Sequence, residues 1–345
     1  MFSISSQSPP IVVAEIGANH DGCPEKASQM LKAVAETSCR YVKFQHYSAS
    51  DLVSDPERVI SYGPENSQTS EPVGAMFDRL SLGVPLLREL FAQARDLNLI
   101  PFATPFSEQG VDDLVGLGTE AIKIASSDVN HLPLLRHAAS TGLPIILSLG
   151  KATLGEAEEA VGEILSHGAG SLTLLHCVAA YPAPISEMNL RVIPMLQSVF
   201  PQCQIGFSDH STGTTAAAVA VAVGACLIEK HVTLSPGDEG PDHWFSLSPS
   251  ELSTLVKDVH DAWQSLGSSK KMITASEERG RRLGVRSLVA ARALPAGKVI
   301  AAEDLQALRP GGGLAPRYLE VVEGMKLCHP LSKGEVLTWH HFHQP

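Results

Sequence analysis

Eight times between residues 11 and 232 the chain runs through a short apolar segment and then into a stretch whose apolar residues recur every three or four positions. The apolar segments are IVVAEIG (11–17), YVKFQ (41–45), LIPFATPF (99–106), AIKIAS (121–126), PIILSLG (144–150), LTLLHCV (172–178), QIGFSDH (204–210) and CLIEKHV (226–232). Short runs this uniformly apolar suit strands buried on both faces. The periodic stretches (27–35, 86–97, 111–117, 132–139, 154–165, 190–200, 214–223 and, after the eighth run, 249–266) suit helices with one apolar face. Strand and helix in strict alternation imply a parallel sheet covered by helices. Eight units predict a closed (β/α)8 barrel, because open doubly wound sheets more often hold five or six strands.

The barrel pattern accounts for residues 1–266. Residues 267–284, GSSKKMITASEERGRRLG, are polar, charged and bounded by glycine, and read as a linker. Residues 285–345 then form short strand-like runs punctuated by PAG and GGG, a small second domain in sequence. Three readings of that domain stand: an independent module, an arm on the barrel, or a dimerisation element. Its histidines His340, His341 and His343 read as a solvated tail. A formal net charge of −11 argues against nucleic acid or an anionic membrane as the partner, and no apolar run reaches the ~20 residues of a membrane helix. Six scattered cysteines without a CxxC pair, and an N-terminus without a secretory pattern, read as a reduced, cytoplasmic protein.

In a (β/α)8 barrel the C-terminal strand ends open on one mouth, where sites are built. The first run brings Glu15, Asn19 and His20 there, and the second Lys43 and Gln45. Thr104 follows from the third, Lys123, Ser126 and Asp128 from the fourth, and Ser148 from the fifth. His176 and Tyr181 come from the sixth, Ser208, Asp209 and His210 from the seventh, and Glu229 and His231 from the eighth. A purely structural barrel has no use for so many polar groups at one end. Lys43 and Lys123 sit between apolar neighbours, where a lone ammonium is costly. Either each pairs with Glu15 or Glu229, or both clamp a phosphate or carboxylate with the hydroxyls of Thr104, Ser126 and Ser148. A single histidine ending a strand is usually a satisfied structural residue. Two in consecutive units, His210 and His231, point to neutral-imidazole ligands for a borderline divalent ion such as Mn²⁺, with Glu229 or Asp242 nearby.

These residues fall in motifs that resemble the sialic acid synthase family: AEIGANHDG (14–22), VKFQ (42–45), ATPF (103–106), KIASSDVNHLPLL (123–135), HCVAAYPAP (176–184), GFSDHSTG (206–213), IEKHVT (228–233) and GPDHWFSLSP (240–249). ALRPGGGLAP (307–316) resembles the family's C-terminal antifreeze-like (SAF) domain. Within the family, the motifs are closest to spore-coat polysaccharide synthases of the SpsE type. The resemblance covers nearly the whole chain and implies a (β/α)8 barrel followed by a SAF domain. It also implies a metal-dependent condensation of phosphoenolpyruvate with the open-chain aldehyde of an N-acylated amino sugar. By resemblance, His210 and His231 bind Mn²⁺ or another divalent ion. Lys43, Thr104, Lys123, Ser126, Ser148 and Ser208 surround phosphoenolpyruvate. Glu15, Gln45 and Glu229 are catalytic, and Tyr181 and Asp242 meet the sugar. Arg309 matches an arginine that one subunit delivers to its partner's site, so the resemblance implies a domain-swapped homodimer.

Two positions depart from the family pattern: Leu149 replaces a usual Thr, and Ala179 replaces a usual Asn or Ser. Residues 48–84 form a long polar insert that suits a lid over the mouth. The competing enzyme reading is a deoxy-octulosonate or deoxy-heptulosonate type of synthase acting on a phosphorylated aldose. A catalytically degenerate, carbohydrate-binding barrel is the other alternative.

Overall fold

The computed structural model of the chain describes residue 4, residues 8–64 and residues 66–343. All eight apolar runs form strands: β1 (Ile11–Glu15), β2 (Tyr41–His46), β5 (Ile100–Pro105), β6 (Ile122–Ile124), β7 (Pro144–Ser148), β8 (Ser171–Cys177), β9 (Gln204–Asp209) and β10 (Leu227–His231). They are parallel and close in the order β1-β10-β9-β8-β7-β6-β5-β2, with β2 returning to β1. A helix follows each strand where the three-to-four spacing predicts one, from Pro24–Ala35 to Pro249–Leu266. Their starts follow local rules. Thr153 with Glu156 and Ser248 with Glu251 form capping boxes that satisfy the first free N–H groups, and proline occupies the first turn of several.

The two faces of each strand bury different layers. Outward residues such as Ala14, Val42, Phe44, Ile124, Leu174 and Phe207 pack under the helices in the main core. Inward residues Val13, Phe102, Ala121, Ile146, Leu175 and Leu227 fill the barrel itself. The insert after β2 is folded. It forms an antiparallel hairpin, β3 (Val59–Tyr62) with β4 (Thr69–Pro72), then a helix, Val73–Leu80, and these share a small apolar cluster with Ala18. Among the described residues no helix is long and apolar enough to cross a membrane.

The chain divides into two compact units, Met1–Gly267 and Ser268–Pro345. The polar stretch read as a linker contains a helix, Ala275–Gly284, opened by a Thr274–Glu277 capping box. Glu277 and Glu278 at its start and Arg281 and Arg282 at its end complement the helix dipole. No apolar stripe marked it, because no residue of this helix is buried. The second unit pairs β11 (Ser287–Ala290) antiparallel with β12 (Leu305–Leu308) over a core that includes Leu288, Ile300, Val322, Leu331 and Leu337. Its end is folded and not a solvated tail. Trp339–Phe342 forms a 3₁₀ turn, His341 is buried with Nδ1 against Thr338, and His340 stacks on His329 at 4.7 Å.

Asp304 anchors the second unit. Its carboxylate accepts the Ala301 N–H and two N–H bonds from Arg292 and lies 3.2 Å from Lys298 Nζ. The Ala301 bond, then Arg292, hold its pKa down to about 2. A carboxylate depressed below its unfolded value of roughly 3.9 stabilises the fold above about pH 4 and loses that contribution as pH falls toward 2. Asp304→Asn is therefore expected to lower the stability of the second unit at pH 7. The deficit, measured by urea unfolding, should shrink below pH 4 and vanish near pH 2.

Candidate functional site

Side chains alternate along a strand, so the residues two beyond the apolar barrel filling point to the same interior, one layer nearer the mouth. That next layer is polar. Val13 is followed by Glu15, Phe102 by Thr104, Ala121 by Lys123, Ile146 by Ser148, Leu175 by Cys177 and Leu227 by Glu229. The register sets the neighbours: Glu15 lies opposite His231 on one side and Lys43 on the other, Gln45 opposite Thr104, and Glu229 opposite Ser208. Together these residues line a single cavity at the C-terminal strand ends, with Ser126, Tyr181 and His210 completing its wall.

Two ammonium groups lie inside this layer, each 3% exposed, and they are compensated unequally. Lys43 Nζ sits 2.8 Å from Glu15 Oε2 and 3.8 Å from Glu229 Oε1, and donates to Thr104 Oγ1 at 3.1 Å. Burial pulls the Lys43 pKa down, but Glu15 and Glu229 outweigh it and the pKa is raised. Lys123 Nζ donates to Ser148 Oγ (2.7 Å) and to the Ile124 carbonyl (2.9 Å), and among the described residues no carboxylate lies within ion-pair distance. Burial dominates there, against the field of Glu229, and its pKa is lowered. Burial also raises the Glu15 carboxyl, against the pull of Lys43. Glu15 Oε1 accepts from Gln45 Nε2 at 2.9 Å, and Glu229 Oε1 accepts from Ser208 Oγ at 3.2 Å. Glu229 Oε2 is buried with no hydrogen-bond partner.

The two imidazoles lie side by side at the ends of adjacent strands, with ring centres 5.5 Å apart. His210 Nδ1 donates to the Val178 carbonyl at 2.9 Å, which fixes the neutral tautomer and leaves Nε2 with its lone pair. Burial holds both rings below the usual histidine range, His231 well below it. Tyr181 packs at a tilt against His210, ring centres 4.3 Å apart, and Phe245 borders His231 at 5.2 Å. His231 Nδ1 is buried without a hydrogen bond, 3.4 Å from Asp242 Oδ2. Two neutral imidazoles form a donor pair that suits a borderline divalent ion. Among the described residues no group of three or more His, Cys, Asp or Glu side chains is placed to hold a metal ion. Gly17, with φ +54°, permits this packing: a Cβ there would lie 3.2 Å from both Asp242 Oδ2 and His231 Nδ1.

Twelve of the fourteen residues expected to form the site therefore line one cavity. Asp242 stands behind His231, and burial, then Glu15, raise its pKa to about 6. Arg309 belongs to the second unit. Other strand-end residues turn away. His176 donates to the Met188 carbonyl (2.6 Å) and stacks on Phe207. Asp209 pairs with Lys230, and Asn19 donates to Val232 O and Ser246 Oγ. Cys177 and Phe106 line the cavity and were missed, although each lies two residues beyond an inward side chain. Leu149 lines a different cleft, on the outside of β7 and β8 with Met195 and Leu196, so its departure from the family pattern does not touch the cavity. A larger cleft of about 810 Å³ lies wholly in the second unit, beside Arg281, Arg282, Arg286 and Arg317. Its lining holds one carboxylate, Glu278, and no imidazole or thiol.

Residues 30–271 match the model of the NeuB family, and residues 285–343 match the SAF domain. The chain is 36% identical over 337 residues to N,N'-diacetyllegionaminic acid synthase of Legionella pneumophila, covering 96% of this chain and 94% of that protein. It is 32% identical to the spore coat polysaccharide biosynthesis protein SpsE of Bacillus subtilis, covering 98% and 94%. Among solved structures, the N-acetylneuraminic acid synthetase of Leptospira borgpetersenii superposes with a TM-score of 0.72 at 32% identity, over 80% of this chain and 92% of that one.

The unequal compensation of the two lysines has a measurable consequence. Lys43→Met strands Glu15 in the interior and is expected to destabilise the barrel by about 3 kcal/mol. Lys123→Met removes a cation that no carboxylate compensates directly, and should leave stability unchanged or raised. Equilibrium unfolding of the two variants at pH 7 checks the contrast.

Proposed function

Because the chain belongs to the NeuB family, we propose that it joins phosphoenolpyruvate to the open-chain aldehyde of an N-acylated amino sugar. The product is a nine-carbon 3-deoxy-2-ulosonic acid of the sialic type, with inorganic phosphate released. The chain is a carbon–carbon bond-forming transferase, in keeping with relatives that are legionaminic, pseudaminic and sialic acid synthases. The observation that carries the substrate reading is Lys123: a buried ammonium without a carboxylate, facing a cavity rimmed by hydroxyls, calls for an anion from outside. Phosphoenolpyruvate brings two anionic groups.

In this reading Lys43 and Lys123, with Thr104, Ser126, Ser148 and Ser208, hold the phosphate and carboxylate of phosphoenolpyruvate and fix its enol face. The enol carbon bonds to the aldehyde carbon, whose oxygen takes a proton and becomes a hydroxyl. Water adds at C2, and the C–O bond to phosphate breaks. Glu15, Gln45 and Glu229 orient the attacking water and move these protons, while Tyr181 and Asp242 border the sugar. His210 and His231 would hold a divalent ion such as Mn²⁺, which supplies Lewis-acid polarisation of the aldehyde.

The acceptor suggested by two relatives, both N,N'-diacetyllegionaminic acid synthases, is a 2,4-diacetamido-trideoxyhexose, ahead of N-acetylmannosamine. By resemblance to the family, the reading extends to a homodimer in which the partner subunit's Arg309 meets the N-acyl group. The SAF domain favours this acceptor class over phosphorylated aldoses.

Metal-loaded protein should release phosphate from phosphoenolpyruvate with the diacetamido sugar and yield a product of nine-carbon ulosonate mass. Turnover confined to arabinose 5-phosphate would move the enzyme to the octulosonate type. His231→Ala is expected to lose Mn²⁺ and activity together; metal retained at full stoichiometry would place the ligands elsewhere. Arg309→Ala should raise the sugar KM by on the order of tenfold, the loss of one charged hydrogen bond, with the phosphoenolpyruvate KM unchanged. Equal kinetics for the two proteins would remove the shared arginine.

A further inference from the structure

Asp209 ends β9 and Lys230 lies opposite it on β10. Both side chains turn away from the cavity into the layer beneath the helices, beside the apolar Phe207 and Ile228, and are at most 1% exposed. Lys230 Nζ lies 2.8 Å from Asp209 Oδ2 and also donates to the Ser211 carbonyl. Asp209 Oδ1 accepts the Ser211 N–H at 2.8 Å and the Ser211 hydroxyl at 2.6 Å. These bonds tie the residue before His210, the residue after it, and the residue before His231.

An apolar pair of similar volume generally serves stability in such a layer at least as well as a buried ion pair. What a charge pair adds is register. A slip of one residue between β9 and β10 would turn one of the two imidazoles out of the barrel, and it would also separate the two charges in a medium that tolerates neither alone. We propose that the Asp209–Lys230 pair is a positioning clamp on the outer face of the barrel wall that sets His210 and His231 side by side for metal binding. The clamp rests on the reading of these histidines as ligands.

The test uses the full chain with Mn²⁺ as probe. Asp209→Asn combined with Lys230→Met removes both charges at similar volume. Electron paramagnetic resonance titration should show Mn²⁺ affinity reduced at least tenfold, the usual effect of removing a ligand's support. The melting temperature should stay near that of the wild type. In metal-free protein the ring resonances of His210 and His231 should shift, while that of the buried His243 stays in place. Leu255→Ala, which opens a cavity under the helix Pro249–Leu266, should lower stability without changing Mn²⁺ affinity. Wild-type affinity and unmoved rings in the double variant overturn the clamp. If the double variant does not fold, Asp209→Asn alone is held to the same two readouts. If the wild type binds no Mn²⁺, the metal reading falls, and the ring resonances alone decide whether the pair positions the histidines.

Discussion

Four ionisable groups, Glu15, Lys43, Lys123 and Glu229, share one layer of a barrel interior that water scarcely reaches, and both the stability and the chemistry of this protein follow from how their charges balance. At an effective dielectric of about 20, charges 2.8 Å apart attract by roughly 6 kcal/mol, the same order as the several kcal/mol it costs to desolvate each ion. Lys43 and Glu15 therefore come close to self-sufficiency. Lys123 does not: two neutral acceptors are a weak substitute for an anion. Among the described residues Lys123 is a buried cation without a paired carboxylate, and the mouth is where a compensating charge can enter. That is a stronger pointer to an anionic substrate than the net charge of −11, which describes the surface and says little about the interior.

Much of this was legible in the sequence because a closed parallel barrel leaves few choices. Eight near-continuous apolar runs fixed the strand count, and each run carried its own mark of where the apolar filling stops. Glu15, Lys43, Thr104, Lys123 and Glu229 interrupt runs that are otherwise largely apolar, so they read as interior polar groups. Errors arose where strand ends were taken as wholes. His176 and Asp209 end their strands as plainly as Ser208 does, yet they lie on the outward parity. Counting by two from Leu175 and Leu227 separates them and also finds Cys177.

The second unit was less legible for a different reason. Short strands and turn glycines marked the module from residue 285, but the preceding helix Ala275–Gly284 buries nothing and so has no periodic apolar signature. Only its capping residues, Thr274 and Glu277, announce it. Arg309 illustrates a limit of any single chain. Nothing in its own neighbourhood explains why an arginine should precede PGGG.

The two buried ion pairs of the barrel show that identical chemistry can serve opposite purposes according to which face of a strand carries it. Glu15–Lys43 and Asp209–Lys230 both join adjacent parallel strands in register, and both have 2.8 Å contacts in nearly dry surroundings. The first faces a cavity, so a ligand can enter and redistribute its charge, and its members lie among acceptors and donors left partly unsatisfied. The second is sealed under helices and bound to the backbone of Ser211, so nothing can exchange with it. A sealed pair has a fixed geometry, and fixed geometry is what the residues next to it, His210 and His231, require.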